Sequence, residues 1–223
     1  MRVLIVGVGR AGLTIAQYLS GSGHEVTVID RDRAVAERAS ERSGLVALTG
    51  DATDAVILED AEVARADVVV AMLRRDADNL AVALLAKANG VRRVMVRMRD
   101  TAYRAVYLSA GVDRLLSETE VLLGALATAI EHDSVLHAML LGNGESVAVE
   151  IAIPTDSRIA GLSVSEIATD PRFPASCVFA GLYRTDGTVE GPRGSSIVQG
   201  GSTVLLVARR DELARTIDFL GGK

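Results

Sequence analysis

Six residues near the start of the chain, Gly7-Val8-Gly9-Arg10-Ala11-Gly12, form a G-x-G-x-x-G string, the arrangement that lets main chain hold phosphate. Gly7 permits a tight turn, Gly9 lets the backbone approach a phosphate, and Gly12 lets the following helix pack closely on the preceding strand. The helix that opens behind the string points its free N–H groups and positive dipole end at an anion. Asp30 follows 18 residues after Gly12, at the end of the next apolar run. Its carboxylate suits the two hydroxyls of a ribose and repels a 2′-phosphate. Together these residues specify an adenosine-containing nucleotide without that phosphate.

Further residues fall where the same ligand would extend. Arg10 stands between the second and third glycines, where its guanidinium can clamp distal phosphates, those of ATP or ADP as well as a pyrophosphate bridge. In Gly50-Asp51-Ala52-Thr53 the carboxylate and hydroxyl come after the third strand, close to where adenine would lie; the alternative is that Asp51 caps the next helix. Ala71-Met72-Leu73 would form the opposite crevice wall, and Arg97, ending the fifth strand, faces the same edge within reach of phosphate. Asp76, Asp78 and Asn79 read as helix-start residues.

Other chemistries find little support. His24, His132 and His137 lack metal-site spacing, and there is no G-x-S-x-G elbow, no Cys/His cluster and no evident acid–base pair for a hydride-transfer substrate. Cys177, the single cysteine, reads as a buried strand position. Lys87 and Lys223 are the only lysines, which leaves lysine-nucleophile chemistry almost without candidates, and Lys87 reads as a solvated helix residue. A net charge of −5, basic runs no longer than Arg74-Arg75, Arg92-Arg93 and Arg209-Arg210, and 3% aromatics argue against nucleic acid. A cofactor fold without a substrate site reads as a sensor.

The elements that position these residues follow from pattern. With 223 residues, 49% of them hydrophobic, and a mean hydropathy of +0.29, the chain can bury one large core or two modest ones. The longest nearly unbroken apolar stretch, Val121 to Ile130, is about half the ~20 residues that cross a bilayer. The opening Met1-Arg2-Val3-Leu4-Ile5-Val6-Gly7 reads as a buried strand of a cytoplasmic protein, not as a secretion signal. Strands are expected at 2–7, 25–30, 45–49, 67–72, 92–98 and 113–116, with helices near 10–21, 32–43, 54–63, 76–89 and 101–110. Gly23, Gly44, Gly90 and Gly111 follow four of these helices, where a left-handed residue often ends the turn. The rhythm is that of an α/β, Rossmann-like, doubly wound parallel sheet. A long crossover helix is expected from 118 to about 141, with Leu122, Leu126, Ala129 and Ile130 on a stripe that can meet a second subunit. Leu141-Gly142-Asn143-Gly144-Glu145-Ser146 then reads as the turn between two domains, 1–140 and 147–223. The second is a small α+β unit with strands at 147–153, 177–184 and 203–208, a hairpin turn at Thr185–Thr188 and a final helix at 211–220.

The string Gly7–Gly12, Asp30, Gly50-Asp51-Ala52-Thr53, Asp78-Asn79-Leu80 with Leu85-Ala86-Lys87, and Arg97-Met98-Arg99-Asp100 together resemble the RCK (KTN) nucleotide-binding domain. Pro154 to Ser163 resembles the opening of the RCK C-terminal module, so the likeness covers nearly the whole chain. One N-module plus one C-module is similar to the regulatory subunits of Trk/Ktr-type potassium uptake systems. The resemblance implies a cytoplasmic, non-enzymatic homo-oligomer, dimers assembled into a ring of eight, docked beneath a separate membrane potassium-translocating protein. It implies a nucleotide pocket of Gly7, Val8, Gly9, Arg10, Ala11, Gly12, Asp30, Arg31, Asp51, Ala52, Thr53, Met72, Leu73 and Arg97, binding ATP or ADP, or NAD(H). It also places Glu118 near a divalent cation such as Mg²⁺; the family often has Pro next, and this chain has Thr119. The usual Gly-Asp before the last strand is Gly201-Ser202 here, so no ligand is carried over to the C-module. A small NAD-dependent oxidoreductase, or an NAD or redox sensor, is the alternative reading of the same glycine string.

Overall fold

The computed structural model describes residues 1–141 and 144–221, the side chains of 124 and 125 aside. Up to Glu118 the chain forms one compact unit and from Thr119 a second.

The first unit alternates strands β1 (Arg2–Val6), β2 (Glu25–Asp30), β3 (Val46–Thr49), β4 (Val68–Ala71), β5 (Arg93–Met98) and β6 (Arg114–Ser117) with helices. Those helices are α1 (Arg10–Gly21), α2 (Arg33–Ser43), α3 (Ala55–Asp60), α4 (Asp76–Ala88) and α5 (Arg104–Ser109). All strand pairs are parallel, in the order β3-β2-β1-β4-β5-β6. The Val/Ile-rich strands are covered on both faces, as crossover helices require. Val3 and Ile5 pack with Ala16 and Ala39 on one side, Leu4 and Val6 with Leu58, Ala83 and Ala86 on the other. The chain proceeds one way from β1 and the other way from β4, so a crevice opens at their neighbouring carboxyl ends. Gly23, Gly44, Gly90 and Gly111 all lie at positive φ, as expected.

Helix α1 is held tightly against β1 by two glycines. Gly7 turns the chain at φ +88°, with the Met72 carbonyl 3.0 Å from where a Cβ would stand. A Cβ on Gly12 would stand 2.3 Å from the Gly7 carbonyl oxygen.

The first turn of α4 is a buried polar clamp. Asn79, fully buried, accepts from the Leu73 N–H (2.8 Å) and donates to the carbonyls of Leu73 (3.2 Å) and Arg97 (3.1 Å). Asp76 accepts from the N–H groups of Arg99 and Asp100 and from the Tyr107 hydroxyl. These two residues therefore lock the segments after β4 and β5, a role beyond that of helix-start residues. Lys87 is likewise not merely solvated: its ammonium meets Asp113 at 2.7 Å and the Arg92 carbonyl at 3.2 Å.

The second unit contains α6 (Glu118–Glu131) beyond its first residue, β7 (Val135–Leu141), β8 (Ser146–Ala152), α7 (Val164–Thr169), β9 (Val178–Tyr183), β10 (Val189–Glu190), β11 (Thr203–Arg209) and α8 (Leu213–Gly221). Its antiparallel sheet runs β10-β9-β11-β8-β7. The expected helix to 141 is corrected here: α6 ends at Glu131, and 135–141 is an edge strand paired with β8, Leu141 opposite Ser146. A continuous apolar run satisfies helix and strand alike, and only pairing with β8 decides. The turn expected at 141–146 falls between the paired strands β7 and β8, inside the compact unit that begins at Thr119. Gly142 and Asn143 of that turn lie outside the described residues, as does Lys223. The Thr185–Thr188 turn is a hairpin joining β9 to β10, with the Asp186 carboxylate accepting from Thr188. Ser157 donates to the Leu220 carbonyl (2.6 Å) and Arg158 to that of Phe219 (3.1 Å), satisfying two acceptors at the end of α8. Cys177 sits just before β9, 7% exposed, and burial pushes its thiol up to about 11.

Two outcomes follow from this packing. Gly12→Ala forces apart α1 and β1 and should lower the unfolding free energy by about 1–3 kcal/mol, the cost of overpacking; an unchanged urea midpoint refutes the contact. Cys177, raised from 9.0 to about 11, should carry about 100-fold less thiolate than an ordinary thiol and label slowly at neutral pH until the chain is unfolded in denaturant. Equal labelling rates in folded and unfolded protein would contradict the burial.

Candidate functional site

Three peptide segments converge where β1, β2 and β3 end. The Val8 N–H donates to Asp30 Oδ2 at 2.9 Å, and the Asp32 N–H to Asp30 Oδ1 at 2.9 Å. Each carboxylate oxygen has thereby accepted one bond and retains capacity for another. The Asp30 carbonyl accepts from the Gly50 N–H at 3.0 Å, which ties the end of β2 to the segment carrying Asp51. Asp30 is therefore both the fastener of the glycine turn and an available acceptor.

Gly9 is the N-cap of α1 and carries no side-chain cap. A Cβ built there meets nothing within 4 Å, so the main chain at this point faces open space. The first turn of α1 contains no acidic residue, and its leading N–H groups have no intrahelical acceptor. Arg10 and Arg31 are exposed beside this opening. Among the described residues, none makes a hydrogen bond or ion pair with the Arg10 side chain. An anion is the group that such a helix start, uncapped and rimmed by cations, is built to accept.

On the adjoining segment Asp51 accepts from the Thr53 N–H (3.0 Å) and hydroxyl (2.8 Å). These two bonds, with a weaker contribution from the Arg31 charge, hold its carboxyl below the usual range. The alternative of Asp51 capping α3 is not realised: Asp54 is that cap, accepting from the Val56 N–H. Ala52 is buried in the core, as is Val8, so both reach the crevice only through main chain.

Across the switch point, the Met72 N–H donates to the Val6 carbonyl at 2.8 Å, placing Met72 directly against Gly7. Leu73 is fixed on both its N–H and C=O by Asn79. Arg97 and Glu118 pair with each other, Nη2–Oε2 2.7 Å and Nε–Oε2 3.1 Å. The structure thus brings the glycine turn, Asp30 and Met72 into direct contact, sets Arg31 close enough to influence Asp51, and gives Arg97 and Glu118 each a protein partner. Among the described residues no group of three or more His, Cys, Asp or Glu is placed to hold a metal ion. Asn79 and Asp76 are the residues whose role in shaping the crevice sequence reasoning missed. Their one signal was polarity at a helix start, which a solvent-facing cap shows equally.

The TrkA-N domain model matches residues 3–118 and the TrkA-C domain model residues 148–221. A Trk system potassium uptake protein TrkA homolog from Methanothermobacter thermautotrophicus is 25% identical over 211 residues, covering 95% of either chain. One from Archaeoglobus fulgidus is 30% identical over 217 residues, 96% of this chain and 48% of that one. Among solved structures, the GsuK channel bound to NAD superposes with a TM-score of 0.69 at 19% identity, over 99% of this chain and 39% of that one, a likeness of fold. The Shewanella denitrificans Kef CTD in AMP bound form reaches 0.51 at 25% identity, over 59% of this chain and 82% of that one. GsuK bound to ADP reaches 0.51 at 24% identity, over 59% and 35%. With the first family model spanning more than half of its length and the second most of the remainder, the chain belongs to the TrkA-N family and carries a TrkA-C domain behind the TrkA-N domain.

Proposed function

We propose that this chain is a non-enzymatic regulatory subunit of a potassium uptake system: it binds an adenine nucleotide at the carboxyl edge of its parallel sheet and gates a separate membrane potassium-translocating protein. The observation that carries the reading is the open main chain at Gly9, ahead of an uncapped helix and beside Asp30, in a member of the TrkA-N family. In this reading Gly7–Gly12 receive phosphate, Asp30 accepts from the ribose hydroxyls, and Arg31, Asp51, Ala52 and Thr53 border the adenine. Met72, Leu73 and Arg97 form the far wall. ATP and ADP are the first ligands, because no described residue pairs with the Arg10 side chain and a terminal phosphate offers it a charge-assisted partner. NAD(H) is the second, in view of the solved relative with NAD bound and the carboxylate at position 30.

A divalent cation fits such a site in part: Mg²⁺ takes one or two carboxylates and completes its shell with phosphate oxygens and water. Glu118 is the carboxylate that would serve, and the ion would neutralise phosphate charge. Binding acts on the partner by population shift, each ligand favouring the conformation that it binds more tightly.

Oligomerisation has its own support. On α6 the apolar residues Val121, Leu122, Leu126 and Ile130 are exposed in the single chain, Ile130 by 79%. A stripe of this size asks for cover, and a second copy supplies it, with dimers closing into a ring of eight. No helix among the described residues is long and apolar enough to cross a membrane. The proposed location is cytoplasmic, at the inner face of the cell membrane.

Calorimetric titration with ATP, ADP, NAD and NADH on nucleotide-stripped protein should give binding that ranks ATP and ADP first; no heat with any of them overturns the reading. Arg10→Ala should narrow the ratio of ATP to ADP affinity by about tenfold, the worth of one charge-assisted bond. Light scattering at micromolar concentration should find an oligomer, and a strict monomer is incompatible with the ring.

A further inference from the structure

Arg97 lies on a strand whose alternation fixes its face. Val94, Val96 and Met98 are buried against α3 and α4, so Met95 and Arg97 share the opposite face with Val70 and Met72, the face over α1. β5 stands two strand spacings, about 10 Å, from β1, so a ligand seated at Gly9 reaches Arg97 only through an extended phosphate chain. The Arg97 main chain is held by Asn79, which leaves only the side chain free to change partner. That side chain, 23% exposed, now gives both Nε and Nη2 to one oxygen of Glu118. A phosphate approaching Arg97 therefore competes with a carboxylate for the same two donors.

The competitors are unequal. A carboxylate carries one negative charge, a terminal phosphate about 1.5 to 2 on three acceptor oxygens, and a phosphate inside a dinucleotide bridge only one. We propose that Glu118 is a specificity-determining residue of the nucleotide site: it withholds Arg97 from weakly charged ligands and yields it to a terminal phosphate. This rests on the nucleotide reading of the crevice given above.

The test is calorimetry in EDTA, so that no cation intervenes, with ADP, ATP and adenosine as probes on the full chain. Glu118→Gln should tighten ADP and ATP about three- to fivefold, the worth of a partly exposed ion pair, and leave adenosine unchanged. In an Arg97→Gln background the same change should have no effect, because the interaction that it relieves is gone. Asp78→Asn, which removes a carboxylate that pairs with Arg75 instead, should not reproduce the gain. Equal nucleotide affinity in wild type and Glu118→Gln, or the same gain with Arg97 absent, overturns this inference while leaving the crevice intact. Wild-type protein that binds no nucleotide overturns the crevice reading, and this inference with it.

Discussion

The approach of Gly12 to the Gly7 carbonyl is the contact from which the rest of the first unit takes its geometry. With 2.3 Å between that oxygen and any Cβ, only a glycine lets α1 lie down on β1. Once it does, the start of α1 is aimed across the carboxyl ends of β1 and β4, and Gly9 is left facing open space. Asp30 completes the arrangement by accepting from Val8 on one side and Asp32 on the other. A single carboxylate thus fixes the turn that exposes the helix start and remains available to whatever enters.

The opposite wall is built on another principle. α4 presents two polar residues inward at its first turn, and these satisfy main-chain groups of two different strand-exit segments. Buried main-chain donors and acceptors must be paired, and a loop leaving a sheet edge has few partners of its own. Asn79 and Asp76 supply them, so the far wall is pinned by side chains where the glycine turn is open. Tyr107 adds a third member from α5, its hydroxyl driven to hold its proton by burial and by the Asp76 carboxylate.

Much of this was legible in the amino acids. The βα rhythm, the glycine string and the placement of Asp30 after the second strand depend on local periodicity and short spacing, which sequence displays directly. Strand β7 was not legible, because Val135-Leu136-His137-Ala138-Met139-Leu140-Leu141 is continuous enough to extend the preceding helix, and the pairing that makes it a strand is with β8. Nor was the Arg97–Glu118 pair, whose members are 21 residues apart and meet only because β5 and β6 lie side by side. The inward turn of Asn79 was hidden for a related reason: composition does not say on which side of a helix its first turn is buried.

The cations around the crevice, Arg10, Arg31 and Arg97, are all guanidinium groups, planar forks that hold an oxyanion through several N–H donors at once. The Asp51 carboxyl, which feels the Arg31 charge, is held below its usual range chiefly by its bonds to Thr53. His24, the one histidine of the first unit, precedes β2 at the amino end of the sheet. A fork of this kind answers to the direction of its acceptors as much as to their charge, so a rim made of guanidinium groups is matched to planar or tetrahedral oxyanions and poorly to a lone point charge. Shape, then, counts at this edge together with sign.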